Sequence, residues 1–176
     1  ELDLLIQELP AGVHTLLASV CRRTGCRISE ARQLKWENIF PGGITFPKSV
    51  CKNKLESRTI PIFSNLYDLL MEWKKEQELI KGEQISPGGF VFPGRSGAKP
   101  ITRQAHGKQL QITIERIGFK GVSSHSYRRS ALSSASSKGL PLKAIQTLSG
   151  HKSLAVLSRY LEVSEQERMN VAQAFA

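Results

Sequence analysis

The sequence predicts an α+β domain that is mainly α-helical, with one small antiparallel sheet of about three strands in its N-terminal half. Apolar residues recur at helical spacing through most of the chain, as in Val13, Leu16, Leu17, Val20 and Cys21. Between Trp36 and Ile62 that spacing gives way to short runs bounded by turns, Ile44-Thr45-Phe46 and Arg58-Thr59-Ile60-Pro61-Ile62. Glycine or a Ser/Thr side chain stands at most of the changeovers, where helices start and stop.

In chain order, the first helical face ends at Gly25, placed as a C-cap. Ser29 is placed to cap a short second helix carrying Glu30, Ala31 and Leu34, which leaves Arg27 at the turn between two helices. Pro41-Gly42-Gly43 makes a turn into the strands, and a polar, lysine-bearing hairpin tip is expected at about residues 51–56. Pro61 assigns its strand to an edge or an exit. Ser64 is expected to cap a helix with the face Leu66, Leu69, Leu70 and Trp73. Residues 81–101, rich in Gly and Pro, read as a long surface connection with a short Phe90-Val91-Phe92 strand. Thr102 caps a helix to about Ile117, and Ser124 caps another that Gly139 stops. Pro141 opens a short helix with Leu142, Ile145 and Leu148, ended by Gly150. A stretch with Leu154, Leu157 and Tyr160 follows, and Ser164 with Glu167 forms a capping box for a terminal helix with Met169, Ala172 and Phe175.

With 176 residues the chain reads as one domain, residues 1–176. It lacks an initiating Met, a basic leader and any long apolar run, so a piece of a longer, membrane-free protein is expected. Its net charge of +10 points to a polyanionic partner, nucleic acid above all. Three cysteines, Cys21, Cys26 and Cys51, with no C-x-x-C pair, fit a reducing cytosol and argue against a zinc site. Cys21 is assigned to a helix core.

Several polar groups carry chemistry only if they meet. His125 and Arg128 share one face at the start of a helix, where anions are favoured. His151 follows Gly150, and Tyr160 stands nine residues further on. Taken singly, each has a plain explanation: a surface histidine, a C-cap partner, a core tyrosine, an Arg27–Glu30 ion pair, or solvated edge charges at Lys52 and Lys54.

In combination the order resembles the catalytic domain of the tyrosine recombinase (phage integrase) family. The matching pieces are Thr24-Gly25-Cys26-Arg27-Ile28-Ser29-Glu30, Ser57-Arg58-Thr59-Ile60-Pro61-Ile62, His125-Ser126-Tyr127-Arg128, Leu148-Ser149-Gly150-His151-Lys152-Ser153 and Tyr160-Leu161. Three departures stand out. Cys26 occupies a usually aliphatic position, Ser149 a usual leucine, and the hairpin tip is longer than usual by one residue, which leaves Lys52 favoured and Lys54 in reserve as the family's lysine. The family's N-terminal helical domain, which closes around DNA, is not expected within this chain.

The resemblance implies site-specific cleavage and rejoining of double-stranded DNA without metal, ATP or any other cofactor, as in integration or the recombination of phage and mobile elements. Arg27 and Arg128 would grip the phosphate, His151 would donate to it, and His125 would help take the proton of the nucleophile Tyr160. Lys52 would protonate the leaving 5′-oxygen, and a 3′-phosphotyrosine would store the bond. Self-association as a dimer or tetramer on DNA, through residues 164–176, and a cytoplasmic, nucleoid-associated location are implied as well. Relaxation of DNA in the manner of a type IB topoisomerase, and DNA binding without catalysis, are the alternatives.

Overall fold

A computed structural model describes residues 1–51, 56–158 and 165–175. One three-stranded sheet and a set of helices surround the main core, and Leu132, Ile145 and Leu157 form a second, smaller cluster. Helix α1 (Leu2–Glu8) precedes α2 (Val13–Thr24), whose Leu16, Leu17, Val20 and Cys21 are all buried. α1 was not expected: it contributes only Leu5 and Ile6 to the core, too few for a visible period. Helix α3 (Ile28–Ala31) follows at once, and a single 3₁₀ turn, Trp36–Asn38, leads into the sheet.

The sheet has strands β1 (Ile39–Phe40), β2 (Gly43–Phe46) and β3 (Arg58–Pro61) in the order β1-β2-β3, all antiparallel. Ile44, Phe46 and Ile60 turn inward, while the Thr45 and Thr59 hydroxyls pair at 2.9 Å on the other face. That is the period-2 alternation the sequence carries. β3 is an edge strand, which accommodates the missing N–H of Pro61.

Five longer or shorter helices complete the described chain before the tail: α4 (Ser64–Lys81), α5 (Arg103–Ile117), α6 (Ser124–Ser137), α7 (Leu142–Ser149) and α8 (Leu154–Ser158). The tail carries α9 (Glu165–Ala174). α2 lies along α6 and also touches α1, α3 and α4, so it is the axis of the domain. Among the described residues, no helix is long and apolar enough to cross a membrane.

Several boundaries differ from expectation by one or two residues. Ser123, not Ser124, caps α6, in a box with Ser126. Phe63, not Ser64, precedes α4 without a side-chain cap, and Arg27, not Ser29, holds the N-cap position of α3. Thr102 caps α5 as expected, its hydroxyl accepting from the Ala105 N–H at 3.0 Å. Ser164 lies outside the described residues.

The larger correction concerns residues 81–101. Val91 and Phe92 are fully buried rather than on a surface connection. The Val91 N–H donates to Leu34 O at 2.9 Å, the Trp73 Nε1–H donates to Val91 O at 2.8 Å, and the Ile101 N–H donates to Phe92 O at 2.8 Å. Three separate elements satisfy this backbone, so it enters the core without joining the sheet. At the far end, Met169, Val171 and Phe175 of the tail are exposed, so the apolar side of α9 has no cover among the described residues.

Candidate active site

Arg128 organises the site. It lies on the buried side of α6 and is 1% exposed. Its Nη1 donates to Gly25 O at 2.7 Å, and its Nη2 donates to Ser149 O at 2.9 Å. Those carbonyls close α2 and α7, where helix ends leave acceptors unsatisfied and partly negative. One guanidinium thus ties together the turn that carries Arg27 and the turn that carries His151. Burial, and then Arg27, draw its pKa down to about 10, so it remains a cation at neutral pH.

His151 is buried beside it. Nη2 of Arg128 stands 3.0 Å from Nε2, and the Ser149 Oγ stands 2.7 Å from Nδ1. Nη2 also stands 3.2 Å from Nδ1, and because a guanidinium only donates, the ring is the acceptor in this contact. The Ser149 hydroxyl, beside Nδ1, also lies within reach of Gln146 O at 3.2 Å. Burial, with Arg128 next, lowers His151 to about 4, consistent with a neutral ring.

Arg27 sits at the mouth, as its turn between two helices implied. Its Nη1 meets Glu30 Oε1 at 3.1 Å, and its own N–H donates to Glu30 Oε2 at 3.0 Å. Glu30 is completely buried and also takes Arg58 Nη2 at 2.6 Å. Arg58 in turn stacks over the Phe46 ring at 5.0 Å. Burial favours the neutral acid at Glu30, but the Arg58 hydrogen bond and charge outweigh it and hold the carboxyl below its usual value.

These side chains border a hollow of about 200 Å³, lined in part by Arg27, Arg58, His151 and Lys152, with Glu30 and Glu56 as its acids. Three cations, Arg27, Arg58 and Lys152, against two carboxylates leave it net positive, with the neutral His151 ring among them. Arg128 backs the hollow from beneath His151 rather than lining it. His125 stands exposed in the first turn of α6. Partial burial and then the Arg128, Arg27, Arg129 and Arg103 charges lower its pKa, which sets it among the same cations. The structure therefore brings Arg27, Arg128 and His151 together, with His125 in their field. Lys52, Lys54 and Tyr160 lie outside the described residues.

Glu30 and Arg58 were quoted in the motifs but not among the candidate site residues. The one local signal is Glu30 three residues after Arg27, a spacing that pairs the two but does not say that the acid is buried. Gly150 has its own requirement. Its φ is +68°, and a Cβ there would meet Arg58 Nη1 at 2.9 Å. Gly150→Ala is expected to cost about 1–2 kcal/mol from the left-handed backbone alone and to loosen the Arg58–Glu30 pair. A lowered urea midpoint checks it.

Comparison with known proteins gives one family. The family model described as the phage integrase family matches residues 4–167. A tyrosine recombinase XerC of Xanthomonas axonopodis pv. citri (strain 306) is 26% identical over 169 residues, covering 95% of this chain and 52% of that protein. A putative integrase/recombinase of Sinorhizobium fredii is 28% identical, covering 86% of this chain and 57% of that one. The chain spans about half the length of the curated relatives it matches. Among solved structures, a XerH site-specific recombinase bound to palindromic difH substrate superimposes with a TM-score of 0.78 at 24% identity, over 99% of this chain and 51% of that one. The catalytic domain of bacteriophage HP1 integrase gives 0.64 at 22%, over 89% of this chain and 80% of that one.

Proposed function

Because the chain belongs to the phage integrase family, we propose that it is the catalytic domain of a site-specific DNA recombinase that cuts and rejoins strands through a 3′-phosphotyrosine. One observation carries the reading: a single buried arginine locks the Arg27 turn and the His151 turn against a cationic hollow.

In this proposal Tyr160 Oη attacks the phosphorus, the bond to the 5′-oxygen breaks, and Lys52 gives that oxygen its proton. His125, whose pKa is lowered by partial burial and then by its cationic neighbours, is placed to accept the phenol proton. The phosphate meets Arg27 at the mouth. It then replaces His151 as a partner of Arg128, which frees the neutral His151 ring to turn its one N–H toward the phosphate. Charge stabilisation by fixed donors of this kind is the largest catalytic contribution available to such a site. The basic excess holds the DNA backbone, so affinity falls steeply with salt. The whole protein works in the cytoplasm at the nucleoid, and its copies assemble on DNA through residues 164–176, where the exposed Met169, Val171 and Phe175 favour such a contact.

A nicked suicide duplex tests the chemistry. It should trap a covalent adduct, and tryptic digestion should place the nucleotide on the peptide Tyr160–Arg168. An adduct on another residue, or none from the full-length protein, overturns the reading. The lysine has its own expected result. Lys52→Ala should slow cleavage, and a 5′-phosphorothiolate should restore the rate because a thiolate leaves without a proton. The same behaviour in Lys54→Ala alone would transfer the role to Lys54.

A further inference from the structure

Two buried thiols at the end of α2 take no part in the chemistry above. Cys21 is 1% exposed and Cys26 is fully buried, and their sulfurs lie 4.0 Å apart. The helix cap brings them together. Gly25 adopts the left-handed conformation at φ 63° and donates its N–H to Cys21 O. A cap of this type folds the residue after the glycine back over the last turn, which sets Cys26 against Cys21.

A disulfide needs its sulfurs at about 2.05 Å, so closing this one must draw the pair together by roughly half their present separation. The α2 side is fixed by the buried Leu17, Ala18 and Val20. The segment left to move is Gly25–Arg27. Gly25 supplies the carbonyl that Arg128 Nη1 grips at 2.7 Å, and Arg27 lines the hollow.

We infer that Cys21 and Cys26 form a reversible disulfide when the protein meets a peroxide, and that the bond switches the site off by pulling the Gly25–Arg27 turn away from Arg128. The chemistry balances with the peroxide as the oxidant. One thiolate attacks the O–O bond, giving a sulfenic acid and releasing an alcohol or water. The second thiol displaces water from that sulfur, forming the S–S bond, and two thiols are oxidised as one peroxide is reduced. Cys26 is the first to react. Burial raises its pKa, but hydrogen bonds from Cys21 and Thr24 outweigh that, while Cys21 stands well above the usual value. Local opening of the Gly25–Arg27 turn gives the peroxide its access.

That the site cleaves DNA rests on the function proposed above, so two readouts are needed. After peroxide treatment of the full-length protein, a tryptic digest without reductant should link the peptide ending at Arg22 to Thr24–Arg27. Hydrogen exchange across residues 25–31 should quicken in the linked form and return with dithiothreitol. Adduct formation on the suicide duplex should fall by roughly 100-fold, the scale of an ångström-sized misplacement, and recover on reduction. Cys21→Ala should keep its adduct yield through the same peroxide treatment. The half-buried Cys51, whose Sγ lies 3.8 Å from Arg58 Nη1, makes this control necessary. If Cys51 oxidises while the Cys21–Cys26 link fails to appear, if the linked form exchanges and cleaves like the reduced one, or if Cys21→Ala is inactivated equally, the inference is overturned. A reduced protein that forms no adduct counts against the proposed function instead, and exchange over residues 25–31 then decides the switch.

Discussion

Arg128→Lys is expected to yield a folded protein that still binds DNA but forms the covalent adduct roughly 100- to 1000-fold more slowly, the loss typical of removing one fixed donor from such a site. The arginine spends three N–H groups on Gly25 O, Ser149 O and His151. Of the five N–H groups on a guanidinium, the one now on His151 is the one that passes to a phosphate oxygen, while the buried Nε has no hydrogen-bond partner among the described residues. An ammonium keeps the charge but cannot span two carbonyls and still present a fork. The two turns would lose their common anchor while the positive potential stayed. Adduct kinetics on the suicide duplex, set against DNA affinity at matched salt, separate the two effects. Equal cleavage by lysine would mean that Arg128 is only a charge.

Glu30→Ala is expected to lower stability by about 3–5 kcal/mol, the usual cost of removing one partner from a buried ion pair. Glu30 is fully buried and holds both Arg58 at 2.6 Å and Arg27 at 3.1 Å. Without it, Arg27, Arg58 and Arg128 repel one another around an uncompensated hollow. Urea denaturation of the two proteins measures the difference. Acid should reproduce part of it in the unsubstituted chain. His106, lowered to about 4 by burial and His14, and His151, also lowered to about 4, refuse protons that the unfolded chain takes up near 6.5. Stability should therefore fall as the pH drops from about 7 toward 4. Glu30, with its depressed pKa, adds a further loss below the ordinary carboxylate range, as it is protonated. A urea midpoint that did not move between pH 7.5 and 4.5 would refute this.

The amino-acid sequence by itself determined the helical class, the three-strand sheet and the turn that carries Arg27. Leu16, Leu17, Val20 and Cys21 repeat at the helical period, Ile44 and Phe46 alternate, and Gly25 and Gly150 stop helices where left-handed backbone is needed. Such signals are local, written within a few residues of where they act. Only the tertiary structure decided that Glu30 is buried, that Arg58 belongs beside it, and that Arg128 is anchored by carbonyls 103 and 21 residues away in the chain. It also decided that Val91 and Phe92 enter the core from a stretch with no visible period. The physical reason is the same in each case. A polar group or a short apolar pair is placed by whichever partners satisfy it, and those partners come from elements that only packing brings together.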